Sequence, residues 1–169
     1  MTWPHDPLRR IVAAVDGSAT SIEAAEAAIA LAAQTGADVL FLHVLDEQTL
    51  RQLASLIPEP PEEIRLRLEN SMARTLAHLA ELARSKTHLT ELAGSQGVPC
   101  TTRVEEGDPP RVIDRVAGEM GADLILVGKT GHRGVKKLLV GSVTRRLMEC
   151  TSVPVLVIAG SRDEPADLG

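Results

Sequence analysis

The sequence predicts a doubly wound α/β fold, with a five-stranded parallel sheet covered by helices on both faces. Three observations support it. Short, nearly continuous apolar runs recur along the chain, as strands buried on both faces require. Stretches with apolar residues at helical spacing lie between them. The runs end in turn chemistry, with Asp16-Gly17-Ser18 after the first and Gly107-Asp108-Pro109-Pro110 after the third. Such alternation implies parallel pairing through right-handed crossovers.

Taken in order, Arg10-Ile11-Val12-Ala13-Ala14-Val15 is the first strand, closed by the turn and N-cap residues Asp16-Gly17-Ser18. Ile22, Ala25, Ala28, Ile29 and Ala32 then recur at helical spacing up to Gly36, a suitable C-terminal glycine. Residues 37–44, ending in His43-Val44, form the second strand. Leu45 to Pro61 reads as an irregular, variable surface segment, in which Leu50, Leu53, Ala54 and Ile57 allow a short helix before the Pro58 to Pro61 break. A helix follows Pro61, its first turn acidic at Glu62 and Glu63. Its apolar face continues to Gly94, a length that predicts a kink near Ser85-Lys86-Thr87. The third strand spans 98–104, with Pro99 near its start where a lost donor is tolerated. Val112, Ile113, Val116 and Ala117 mark the next helix, ended by Gly121, and 122–127 is the fourth strand. Ser142 stands where the N-cap of a last helix is expected, and that helix stops near Cys150 ahead of a final strand over 154–158. One domain over 8–160 is expected, with flexible tails at 1–7 and 161–169.

Composition removes several function classes. One Trp, one Phe and no Tyr leave no aromatic platforms for single-stranded nucleic acid. A balance of 23 acidic against 18 basic residues, net −5, disfavours nucleic acid altogether. No run reaches the roughly 18 apolar residues of a membrane span, and the start carries no leader pattern. Cys100 and Cys150 lack metal-ligand spacing and read as buried thiols, with a single disulfide as the alternative, so a reducing, cytoplasmic setting is expected. No His, Cys or carboxylate cluster has the spacing of a transition-metal site. His43, at the end of a buried strand, reads as a hydrogen-bonded structural residue, and His78 and His88 as helix surface or packing residues.

The chemistry concentrates in Gly128 to Ser142. A strand, a glycine-rich loop and a helix start present backbone N–H groups and a positive dipole end, an arrangement that suits phosphate. Between Lys129 and Met148 lie six basic residues, Lys129, Arg133, Lys136, Lys137, Arg145 and Arg146, and no acidic one. In an acidic chain that is a local cationic field. Asp123 stands where a Walker A loop requires glycine, and Gly128, Gly131 and Gly134 lack the dinucleotide spacing. The competing reading is a solvated loop whose glycines serve turns alone. Asp16 likewise reads as a turn or cap residue, and Ser142 as a cap worth about 1 kcal/mol.

What remains is Gly128-x2-Gly131-x9-Gly141-Ser142, and on it the chain resembles the universal stress protein family, in particular its ATP-binding branch. The resemblance extends to Val12-Ala13-Ala14-Val15-Asp16-Gly17-Ser18, His43-Val44, Gly107-Asp108-Pro109 and Pro154-Val155-Leu156-Val157. It implies an adenine nucleotide alpha-hydrolase-like fold. It also implies a nucleotide site comprising Ala14, Asp16, Val44, Gly128, Gly131, His132, Gly141, Ser142, Val143 and Thr144. In that set the glycines and Ser142 hold phosphate and ribose, Asp16 contacts the adenosine, and the backbone near Val44 faces the adenine. Mg²⁺ is expected through the ATP itself, and a homodimer through the last strand. Lys129 adds a charge where many relatives carry small polar residues.

The functional expectation is an ATP-binding, nucleotide-responsive regulator of the stress response with slow or no hydrolysis, because no general base accompanies the glycines. A nucleotide hydrolase or phosphotransferase using the same pocket is the enzyme alternative. A non-nucleotide interaction module is the third reading.

Overall fold

The computed structural model describes residues 7–85, 97–129 and 140–160. The elements run β1 (Arg10–Ala14), α1 (Ala19–Thr35), β2 (Asp38–Asp46), α2 (Glu47–Leu56), α3 (Pro61–Ser85), β3 (Cys100–Gly107), α4 (Pro109–Met120), β4 (Leu124–Gly128), α5 (Ser142–Cys150) and β5 (Val155–Ile158). The sheet order is β3-β2-β1-β4-β5, and every neighbouring pair is parallel. The expected five-stranded parallel sheet is therefore present. From β1 the chain winds outward to β3 and then crosses back to β4, so the strand order reverses between β1 and β4.

Alternation along the strands divides the core into two layers. Ile11, Ala13, Val39, Phe41, Leu124 and Leu126 face α1 and α3, meeting Ala24, Ala28, Ile29, Leu76 and Leu79. Val12, Leu40, Leu42, Ile125 and Val127 face the other way, onto Val112, Ile113 and Val116 of α4 and Leu147 of α5. Alanines at positions 24, 25, 28 and 32 of α1 are fully buried. With no bulk beyond Cβ, they let this helix lie close on the sheet.

Local chemistry sets the helix boundaries. The Ser18 side chain accepts the Ser21 amide at the start of α1, and Gly36 ends that helix in the left-handed conformation. The segment read as irregular, with a short helix allowed, begins with two further residues of β2 and then forms that helix as the ten-residue α2, which takes in Leu50, Leu53 and Ala54 and ends at its C-cap Ile57. Asp46 supplies the missing start signal, since its carboxylate accepts the Gln48 amide at 3.2 Å and the Thr49 hydroxyl at 2.7 Å. Pro61 opens α3 as expected. The expected kink at Ser85-Lys86-Thr87 and the continuation to Gly94 extend outside the described residues, as do His88, residues 1–6 of the first tail and the whole of the tail at 161–169. His78 is exposed on α3.

Two sets of contacts had no signal in hydrophobic patterning. The Asp123 carboxylate accepts the Arg9 and Arg10 amides, each at 2.9 Å, and so ties the start of β1 to the start of β4. Arg103, Glu105, Arg115 and Glu119 close a ring of ion pairs that fastens the edge strand β3 to α4. In that ring the Arg103 hydrogen bond holds Glu105 below its ordinary carboxylate value, and the Arg115 hydrogen bond does the same for Glu119. The cysteines depart from expectation. Cys100 is half-buried and Cys150 exposed, both as free thiols, because Cys150 ends α5 on its solvent side. Among the described residues no helix is long and apolar enough to cross a membrane.

Candidate functional site

The carboxyl ends of β1 and β4 meet at the reversal point, where doubly wound sheets bind ligands. Asp16 follows β1 at this rim and is exposed. Its Oδ1 accepts the Ser18 amide at 2.9 Å and the Ser18 hydroxyl at 2.5 Å, while its own amide donates to Ser21 Oγ at 3.2 Å. Buried Ser21 in turn donates from Oγ to the Ser18 carbonyl at 2.9 Å. The turn is thus ordered from within, and Asp16 Oδ2 makes no hydrogen bond among the described residues. Ser21 was not singled out in the sequence, although a second hydroxyl residue three positions after Ser18 is a pattern that supports such a turn.

β4 brings its glycine against this turn. A methyl group on Gly128 would stand 2.6 Å from Thr20 Oγ1 and 2.8 Å from the Ser21 amide nitrogen, so only glycine lets the strand end approach α1 this closely. Ile125 and Lys129 donate their amides to Pro154 and Ile158 of the β5 side, which leaves the alternate residue Gly128 turned toward β1. Its carbonyl accepts the hydroxyl of buried Thr144 at 2.9 Å. The Gly141 amide donates to the Lys129 carbonyl at 2.7 Å. These bonds join the two ends of the glycine loop and seat the start of α5 beside β4.

The cap of α5 corrects the sequence reading. Gly141, not Ser142, is the N-cap residue, and Ser142 is the first residue of the helix. The reason is the Gly141 bond to Lys129, which fixes Gly141 in extended geometry at φ −60° and ψ 154°. Gly141 has no side chain to cap this helix, none of the other described residues caps it, and its first intrahelical bond runs from the Arg145 amide to the Gly141 carbonyl. The amides of Ser142, Val143 and Thr144 are therefore left for another acceptor. Ser142 and Val143 are exposed.

Ala14 and Val44 both turn toward the α4 and α5 layer, partly buried at its margin. Val44 is not the last residue of its strand, because β3 keeps pairing with β2 to Asp46, but it overhangs β1, whose pairing with β2 stops at Ala14 and Leu42. His43 is 8 % exposed, and its Nδ1 lies 2.7 Å from the Val15 carbonyl. A carbonyl only accepts, so Nδ1 carries the proton, and in the neutral imidazole Nε2 does not. Burial pushes the imidazole below its ordinary value, against the Val15 hydrogen bond and the nearby Asp16 charge, which raise it.

One of the six basic residues counted in this stretch, Arg146, is already paired within the protein. Both terminal guanidinium nitrogens of Arg146 donate to Asp108, at 3.0 and 2.7 Å. Asp108 occupies the N-cap position of α4 yet makes no side-chain cap bond. Its carboxylate links α4 to α5 instead. Arg145 is exposed. Gly131, His132, Arg133, Lys136 and Lys137 lie outside the described residues.

The rim thus offers an acceptor at Asp16 Oδ2, donors at the open end of α5, and a strand backbone at Val44 that its neighbour does not cover. Those features fit a ligand with an anionic end and a polar ring, held across the reversal point of a doubly wound sheet. The chain belongs to the universal stress protein family, whose profile it matches over residues 7–159. It is 30 % identical over 154 residues to the universal stress protein YxiE of Bacillus subtilis, a match covering 88 % of this chain and 97 % of that protein. The fold is similar to that of MJ0577 from Methanocaldococcus jannaschii, with a TM-score of 0.75 at 22 % identity, over 90 % of this chain and 96 % of that one. It is similar also to a universal stress protein from Archaeoglobus fulgidus solved in complex with dAMP. There the TM-score is 0.56 at 19 % identity, over 89 % of this chain and 97 % of that one.

Proposed function

We propose that this universal stress protein binds ATP at the β1/β4 rim and acts as a nucleotide-responsive regulator of the stress response, with slow or no hydrolysis. The observation that carries the reading is the convergence of Asp16, Gly128 and the uncapped start of α5 at one reversal point. Phosphates suit the free amides of Ser142, Val143 and Thr144. The ribose hydroxyls suit Asp16 Oδ2, and the adenine suits the margin formed by Ala14 and Val44. The dAMP complex of the A. fulgidus relative supports an adenine nucleotide as the ligand class. Gly131 and His132 complete the proposed loop, and Mg²⁺ arrives with the nucleotide.

Slow turnover follows from what phosphoryl transfer needs, a positioned nucleophile as well as charge stabilisation. The helix end supplies the second. The described imidazole at the rim, His43, is committed to the Val15 carbonyl, and Asp16 holds its own turn. Two free thiols suit a reducing, cytoplasmic setting. A homodimer through β5 is part of the proposal. That strand ends the sheet, and its Leu156 is 42 % exposed, an unpaired apolar edge that association would cover.

Thermal unfolding with and without Mg-ATP tests binding. Ligand at a thousandfold excess over Kd adds about 4 kcal/mol, which raises Tm by roughly 10 °C for a chain of this size. No shift at millimolar ATP refutes the reading, and an equal shift with dAMP removes the triphosphate from it. Sedimentation of a monomer at micromolar concentration removes the dimer.

A further inference from the structure

The end of the β1/β2 ladder is unusual in where its last carbonyl goes. In a parallel ladder, alternate residues turn both N–H and C=O to the same neighbouring strand. On β2 the Asp38 amide donates to Arg9 and the Val39 amide to Pro99, so Leu40, Leu42 and Val44 face β1 while Val39, Phe41 and His43 face β3 with their backbone groups. The Val15 amide still donates to the Leu42 carbonyl at 2.8 Å. The next rung is the Val44 amide to the Val15 carbonyl. It is not made, since pairing stops at Ala14 and Leu42. The Val15 carbonyl instead accepts the His43 side chain, from the residue just before Val44.

We propose that His43 is a positioning residue for the ligand site: its imidazole takes the Val15 carbonyl in place of the Val44 amide, and so keeps the Val44 backbone edge open beside Asp16. A buried carbonyl needs a donor, and the strand register offers the Val44 amide where the structure uses the His43 imidazole. If the backbone amide supplied it, β1 and β2 would zip by one further rung and close the edge that a polar ring could use. The side chain satisfies the carbonyl without that closure. It also ties β2 to the residue that precedes Asp16, so the two halves of the rim are held in one arrangement. Such pre-organisation removes an ordering cost from binding. The role for His43 rests on the nucleotide reading only for its consequence; the open rung itself is a property of the free protein.

Amide hydrogen exchange and nucleotide titration separate the two. In the unliganded protein the Val44 amide is expected to exchange about 100-fold faster or more than those of Leu40 and Leu42, which lie inside the ladder. His43→Leu, which fills the space without a donor, should slow Val44 exchange by about tenfold or more as the rung closes, and weaken ATP binding by about tenfold while leaving inorganic triphosphate unaffected. His43→Asn, which keeps a short N–H donor, should restore both properties. A Val44 amide protected like Leu42 in the unmodified protein overturns the proposal and requires no variant. So does His43→Leu with unchanged exchange at Val44. If the unmodified protein binds no ATP, the nucleotide reading falls and the exchange data alone decide the rung.

Discussion

Gly128→Ala separates two roles that a glycine at a ligand rim can have. The added methyl would meet Thr20 Oγ1 at 2.6 Å and, at 2.8 Å, both the Ser21 amide nitrogen and the Thr20 carbonyl carbon. Thr20 Oγ1 can rotate away, but the other two atoms are main chain. The start of α1 would have to retreat by roughly 0.6 Å to reach ordinary contact. That start is tied by Asp16, Ser18 and Ser21, and the helix beyond it buries Ala24 and Ala25 completely. Overpacking of this kind costs about 1–3 kcal/mol, offset by about 0.4–1 kcal/mol because alanine loses less chain entropy than glycine. The two terms centre on a net loss of about 1.3 kcal/mol, a fall in Tm of about 3–5 °C for a chain of this size. Gly118 is the internal control. It lies within α4, and a Cβ there meets nothing within 4 Å. Gly118→Ala should raise stability by about 0.5–1 kcal/mol. Both variants are to be unfolded thermally without nucleotide. If Gly128→Ala matches the parent protein and loses only ATP binding, the strand-to-helix contact is not what requires glycine, and the packing argument fails.

Asp16→Asn keeps an oxygen for the Ser18 amide but removes the charge, so unfolding should be little changed while ATP affinity falls. Asp16→Ala loses the turn bond as well and should cost about 0.5–2 kcal/mol in denaturant unfolding. Thr144→Val removes the hydroxyl that donates to the Gly128 carbonyl and should cost about 1–3 kcal/mol by the same measurement. For pH, the folded imidazole of His43 is held below its ordinary value of 6.5, so the unfolded chain binds more protons in this range. The stability contribution is whole above pH 6.5 and falls on acidification, by at most about 1.4 kcal/mol per pH unit, until the folded value is passed. Glu105 and Glu119 are depressed from 4.5 and lose their contribution only at lower pH. Unfolding curves between about pH 5 and 7 should therefore flatten in His43→Asn; an unchanged slope refutes the assignment to His43.

Much of the fold was legible because periodicity reports burial directly. The apolar runs at 10–15 and 37–44 could hardly be solvent-exposed, and the helical spacing of Ala25, Ala28, Ile29 and Ala32 identified the face of α1 that meets the sheet. Glycines at 36 and 121 marked helix ends for the reason expected, since both adopt positive φ. The helix α2 was less legible. Its signal is one capping aspartate within a weakly apolar segment, and it lies against α3 without fully burying any of its own residues.

The candidate site divides along the same line. Its residue types were written in the sequence, because an aspartate turn after one strand and a glycine pattern after another are local features. Their partners were not. That Gly128 faces Thr20 and Ser21, that Gly141 rather than Ser142 caps α5, that Asp108 holds Arg146, and that His43 takes the Val15 carbonyl are all contacts between segments far apart in the chain or set by strand register. Sequence pattern determines which residues must be buried and where the chain must turn. Only the order β3-β2-β1-β4-β5 decides which turns meet, because strand adjacency depends on how the crossovers pack and not on the composition of any one strand.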